Sequence, residues 1–188
     1  MIRTKTLVFI SLFVAMIAVM GLIPPIPLPF IGVPITLQTL GVMLAGGLLG
    51  AKKGFTSTLV FVLIVAAGGP FLAGGRGGFG TILGPSGGYI LAWPIGALVI
   101  GLLTERLNAS SRFYISKLVV SYILGGIIIV YAGGIFYYSW VAHSPLGITA
   151  LGNLAFLPGD FVKVAISVAL TVKLKPYFNT KRTHHTAA

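Results

Sequence analysis

Charge punctuates this chain. Its 188 residues carry thirteen Lys or Arg and only two acidic residues, 8% charged in all, where soluble domains carry about 25%. Long apolar runs lie between the charges, and 56% of the residues are hydrophobic. A chain built this way reads as an all-α integral membrane protein, with room for about six spans of roughly 20 residues each.

The placement of the charges gives the topology. Arg3, Lys5, Lys52, Lys53, Arg106, Arg112, Lys117, Lys173, Lys175, Lys181 and Arg182 all fall at span ends on one side. That is the positive-inside pattern, and it puts both termini in the cytoplasm. It also explains the net charge of +11 without nucleic acid as a partner. The spans fall at about 6–22, 35–50, 54–67, 89–103, 113–138 and 158–175, which makes 1–188 a single membrane-embedded unit. The basic, apolar start resembles a signal peptide. No small-residue cleavage site follows it, and Pro24, Pro25, Pro27 and Pro29 do, so we read it as a span. Within it Ser11 and Ala15 form a small-xxx-small pair of the kind that lets helices approach closely. Lys52 and Lys53 mark a cytoplasmic turn, and Glu105, beside Arg106, reads as a surface charge on the same side.

Two cations break the rule, Arg76 and Lys163. Lys163 ends the stretch Leu157-Pro-Gly-Asp-Phe-Val-Lys163, which also holds Asp160, and nine uncharged residues follow it. Pro158 suits the first turn of a helix, and an acid there complements the helix dipole. A spacing of three puts Asp160 and Lys163 on one helical face. A charge within a span costs about 2.5–3.5 kcal/mol, so paired charges there usually mark a substrate or ion path. The plainer alternative is an interfacial ion pair that only caps the helix.

Three segments on the outer side collect the remaining unusual residues. Ile23–Pro34 holds five prolines and cannot be a regular helix; Gln38 follows it. Gly68–Gly88 is glycine-rich, with Arg76 at its centre. A guanidinium there suits a carboxylate or phosphate, and glycines let backbone N–H groups approach a ligand. Trp93 and Pro94 follow near the outer end of the fourth span; aromatics at that depth form an interfacial belt or line a pocket for a flat ligand. The segment 139–157 carries His143 and Asn153. An outward-facing binding site is the simplest reason for three such loops on one side.

Several chemistries lack their residues. No G-x-x-x-x-G-K-[ST] is present, so the chain does not itself hydrolyse ATP. There are no cysteines, and the three histidines include two in the polar tail, His184 and His185; no metal or cofactor is called for. Two acids on opposite sides cannot form a carboxylate dyad, so an enzyme is poorly supported.

The segments Val33-Pro-Ile-Thr-Leu-Gln-Thr-Leu40, Gly69-Pro-Phe71, Gly84-Pro-Ser-Gly-Gly-Tyr89 and Leu157-Pro-Gly-Asp-Phe-Val-Lys163 together resemble the BioY family, the biotin-specific S-components of energy-coupling factor (ECF) transporters. The resemblance runs from the first span to the last. Ser86 stands where the family more often has Thr, and Ser11-x-x-x-Ala15 is the nearest match to the family's A-x-x-x-A docking pattern. The resemblance implies a prokaryotic plasma-membrane subunit of six helices that captures biotin from outside. Its partners would be a transmembrane coupling subunit, docked through Ser11 and Ala15, and two ATPases. Asp160 and Lys163 would meet the ureido ring, and Arg76 and Ser86 the carboxylate. Tyr89, Trp93 and Phe71 would pack on the rings, with Gln38 and Asn153 as further polar contacts. The reverse orientation, with Lys163 on the carboxylate, is equally compatible. A carrier for another small vitamin and a non-transporting membrane scaffold are the alternatives.

Overall fold

The structure, a computed structural model, describes residues 4–28 and 31–178. Arg3, Pro29, Lys181, Arg182, His184 and His185 lie outside the described residues. The chain starts with α1 (Thr4–Met20) and then forms a short hairpin, β1 (Ile26–Leu28) and β2 (Ile31–Ile35). The hairpin is antiparallel, with Ile26 opposite Ile35. The prolines that forbid a helix here are tolerated because a two-stranded ribbon has only edge strands. Apart from a single β-bridge between Leu72 and Arg76, this is the one departure from all-helical architecture among the described residues, and it delays the second helix from 35 to Gln38.

Next come α2 (Gln38–Leu49) and α3 (Ala51–Ala66), joined by Gly50 alone. Lys52 and Lys53 therefore lie in the first turn of α3, not in a turn between helices. Gly50 has φ +81, where an L side chain is strained, and a Cβ on it would collide with the Glu105 carboxylate. That carboxylate accepts the N–H of Ala51 at 3.0 Å. Glu105 thus remains at the surface but also caps α3, satisfying a donor the helix leaves free.

The glycine-rich loop carries one short helix, α4 (Phe79–Leu83), and leads into α5 (Gly87–Glu105). A continuous helix spans Tyr114–Val141. It comprises α6 (Tyr114–Tyr122), a π-helical segment Ile123–Ile129 and α7 (Val130–Val141). The last helix runs over Leu146–Phe178 as α8 (Leu146–Asn153), a 3-10 turn and α9 (Leu157–Phe178). Pro158 and Gly159 lie in the first turn of α9, as their residue types require.

Three of these helices are long and apolar enough to cross a membrane: 87–105, 114–141 and 146–178. The apolar helices α1 and α2 are shorter. On α5, Leu91, Ile95 and Leu102 face outward, while Trp93, Ala97 and Ile100 are buried. An exposed apolar face of that size asks for lipid. Every residue of α2 except Thr39 is buried, and α2 packs on α1, α3, α5 and α9. The other helices form a wall around it.

Candidate binding site

Where the hairpin, the glycine-rich loop and the ends of α2, α5, α7 and α9 meet, they surround a pocket of about 640 Å³, its open mouth included. The wall is mostly apolar, and a few polar groups converge on it.

Asp160 and Lys163 line this pocket. Both side chains are 8% exposed, and Lys163 Nζ lies 2.8 Å from Asp160 Oδ1. Burial at this depth decides against a solvated capping pair. Lys163 also donates to Thr39 Oγ1 at 2.9 Å, and the Tyr131 hydroxyl donates to Asp160 Oδ2 at 2.7 Å. An ammonium has three donors and an ionised carboxylate about four acceptor positions. Lys163 therefore keeps one N–H unused, and Asp160 keeps acceptor capacity on both oxygens. The four residues form a held polar group that can still take an N–H and a carbonyl side by side.

Arg76 and Ser86 line the same pocket. Arg76 is exposed and its Nε donates to the Ala73 carbonyl, which leaves the terminal guanidinium nitrogens without a protein partner among the described residues. Ser86 is the residue before the first turn of α5. On that helix Ser86, Tyr89, Ile90 and Trp93 recur at helical spacing and line the pocket together. Trp93 is 4% exposed, so it is part of the pocket and not of an interfacial belt.

Three of the candidate residues do other work. Gln38 reaches the pocket, but its amide is spent on the backbone: it donates to the carbonyls of Ile17 and Phe71 and accepts from the N–H of Ala73. It ties the glycine-rich loop to α1. Asn153 is buried outside the lining; its Oδ1 accepts from the Tyr89 hydroxyl at 2.7 Å, which fixes that ring from behind. Gly134 makes room for the same ring, since a Cβ there would collide with it. Phe71 is 40% exposed and is not in the pocket wall; only its carbonyl is used, by Gln38. Its ring, expected to pack on a ligand, lies outside the pocket wall here. On α1, Ser11 and Ala15 lie exposed.

Tyr131 and Thr39 are the residues hydrogen-bonded to the ion pair that sequence reading did not single out. Tyr131 sits in an apolar helix 29 residues from Asp160, and Thr39 is 124 residues from Lys163. The only available signal was position: Thr39 follows Gln38 at a helix start, and Tyr131 sits just after the Gly125–Ile129 stretch.

Comparison with known proteins places the chain by sequence and by fold. The BioY family model matches residues 1–180. A probable biotin transporter BioY of Bacillus subtilis (strain 168) is 44% identical over 174 residues, 93% of this chain and 92% of that protein. The biotin transporter BioY of Rhizobium etli is 42% identical over 89% of this chain and 91% of its own length. A crystal structure of the S-component for biotin from an ECF-type ABC transporter superposes with a TM-score of 0.87 at 38% identity, covering 92% of this chain and 91% of that one.

Proposed function

We propose the following function from one premise: the chain belongs to the BioY family. It is the biotin-binding S-component of an ECF-type vitamin uptake transporter, a multi-pass protein of the plasma membrane. The relatives are named for transport of biotin, which favours this reading over another vitamin, a scaffold or an enzyme. Six spans with both termini in the cytoplasm put the pocket at the outer face. A transmembrane coupling subunit and two ATPases supply the energy that this chain has no motif to supply, and Ser11 and Ala15 on the exposed face of α1 serve the docking.

One observation carries the substrate assignment. A buried ion pair faces the pocket with donor and acceptor capacity to spare. A urea presents two N–H donors beside one carbonyl, which is the complement of Asp160 beside Lys163. The ligand's carboxylate lies at the other end of the pocket, on Arg76 and Ser86, because Arg76 is the exposed cation of the wall and a carboxylate left near water is desolvated least. The ring of Tyr89, braced by Asn153, and the indole of Trp93 pack on the apolar middle of the ligand.

The test is binding of biotin to the purified chain in detergent by calorimetry, with riboflavin and thiamine as controls. Saturable binding of biotin alone is expected. A folded sample that binds none of the three, or binds all equally, contradicts the assignment.

A further inference from the structure

Trp93 Nε1 is the one buried side-chain polar atom among the described residues that has no hydrogen-bond partner. Buried indole N–H groups usually find an acceptor, and an orphan asks for an explanation. Of the other polar side chains of the pocket wall named above, only the Ser86 hydroxyl and the exposed end of Arg76 lack a protein partner among the described residues. Trp93 lies two helical turns into α5 from Ser86 and lines the pocket. Its surroundings are apolar: the Phe61 ring lies 6.0 Å away, centroid to centroid, and Val62, Val65, Ala97 and Val130 belong to the same cluster.

We infer that Trp93 donates its indole N–H to an acceptor on the bound ligand, and that on biotin this acceptor is the thioether sulfur. The inference rests on the biotin reading above. Biotin offers three kinds of acceptor. Its ureido carbonyl is matched by Lys163 and its carboxylate by Arg76 and Ser86. The sulfur remains, between the two polar ends. A thioether is a weak acceptor that tolerates an apolar setting, whereas a carbonyl or carboxylate set among Phe61, Val65 and Ala97 would lose hydration that nothing there replaces. Trp93 therefore reads the part of the ligand that distinguishes biotin from its sulfur-free analogue, desthiobiotin, while the ion pair reads the urea that both share.

The experiment is a protein–ligand cycle. Biotin and desthiobiotin are titrated into wild-type protein and into W93F, which keeps an aromatic ring and removes the N–H. A single neutral hydrogen bond corresponds to about a threefold to tenfold change in affinity. W93F is expected to weaken biotin by that factor and to leave desthiobiotin nearly unchanged. Equal loss for both ligands would mean that Trp93 only packs, and no loss for either would remove it from recognition; both results overturn the inference. Failure of wild type to bind biotin at all would instead overturn the functional assignment. A second measurement leaves the site intact. W140F changes an exposed side chain and makes Trp93 the sole tryptophan of the chain. Its emission is expected to differ between the biotin and desthiobiotin complexes, and identical spectra speak against the contact.

Discussion

Replacing Asp160 by Asn tests the reading at its centre. At 2.8 Å and an effective dielectric of about 20, the Asp160–Lys163 attraction is about 6 kcal/mol before desolvation is counted. Removing one member of a buried pair usually costs about 3–5 kcal/mol, because the other charge stays buried alone. In D160N the Tyr131 hydroxyl can still donate to the amide oxygen, so the loss falls on Lys163, which keeps only Thr39. The expected result is an unfolding midpoint lowered by that cost, together with a roughly tenfold to hundredfold loss in biotin affinity from the weakened hydrogen bond to the urea. The two effects separate in the double variant D160N/K163M. Replacing both charges by groups of similar size is often neutral for folding, so its midpoint should return close to wild type. Its biotin binding should stay weak, since one neutral amide replaces the charged acceptor and donor that pair with the urea. Calorimetry for binding and thermal unfolding with and without biotin for stability read the two quantities independently. A D160N or D160N/K163M protein that binds biotin as wild type does would refute the assignment of the ureido ring to this pair.

Tyr131→Phe removes one hydrogen bond to a charged acceptor, worth about 1.5–3 kcal/mol; a roughly tenfold to hundredfold weaker biotin titration is expected, and an unchanged one would show Tyr131 to be only a neighbour. Arg76→Ala should weaken biotin about tenfold or more while hardly changing the affinity for biotin amide, which has no charge at that end, and should leave the unfolding midpoint unchanged because Arg76 is exposed. Gln38→Leu deletes three backbone contacts and should destabilise by about 2–3 kcal/mol, with faster proteolysis within 69–78; an intact loop in that variant would mean the amide is not what holds it.

The residues that were legible in the sequence were legible through scarcity. Asp160, Lys163 and Arg76 stand out because charge is rare here and topology forbids it at those places. The helices were legible because apolar runs end in cations. Helix boundaries near the pocket were less so: hairpin pairing took residues from the start of the second helix, and Gly50 compressed an expected turn to one residue. Tyr131 and Thr39 were hidden because nothing local marks them; each acquires its role from a partner brought close by the fold. Asn153 and Phe71 show the converse: their types suggested ligand contact, but neither lies in the pocket wall. Gln38 does line it, yet an amide with two donors and an acceptor also serves a glycine loop.

The single-residue link between α2 and α3 bears on how the protein is made. At 1.5 Å per residue the twelve residues of α2 reach about 18 Å, well short of a hydrocarbon core about 30 Å thick. Joined to α3 with no loop, α2 cannot leave the translocon as a separate segment. On the proposed six-span topology the two enter the bilayer together as a helical hairpin, with Lys52 and Lys53 at the end where the helices meet. The pair then waits, with Gly46 and Gly47 lacking the neighbours they pack against, until α5 and α9 are synthesised to close around it. A nascent chain truncated after α3 should therefore remain associated with the insertion machinery, and one extended through α9 should be released.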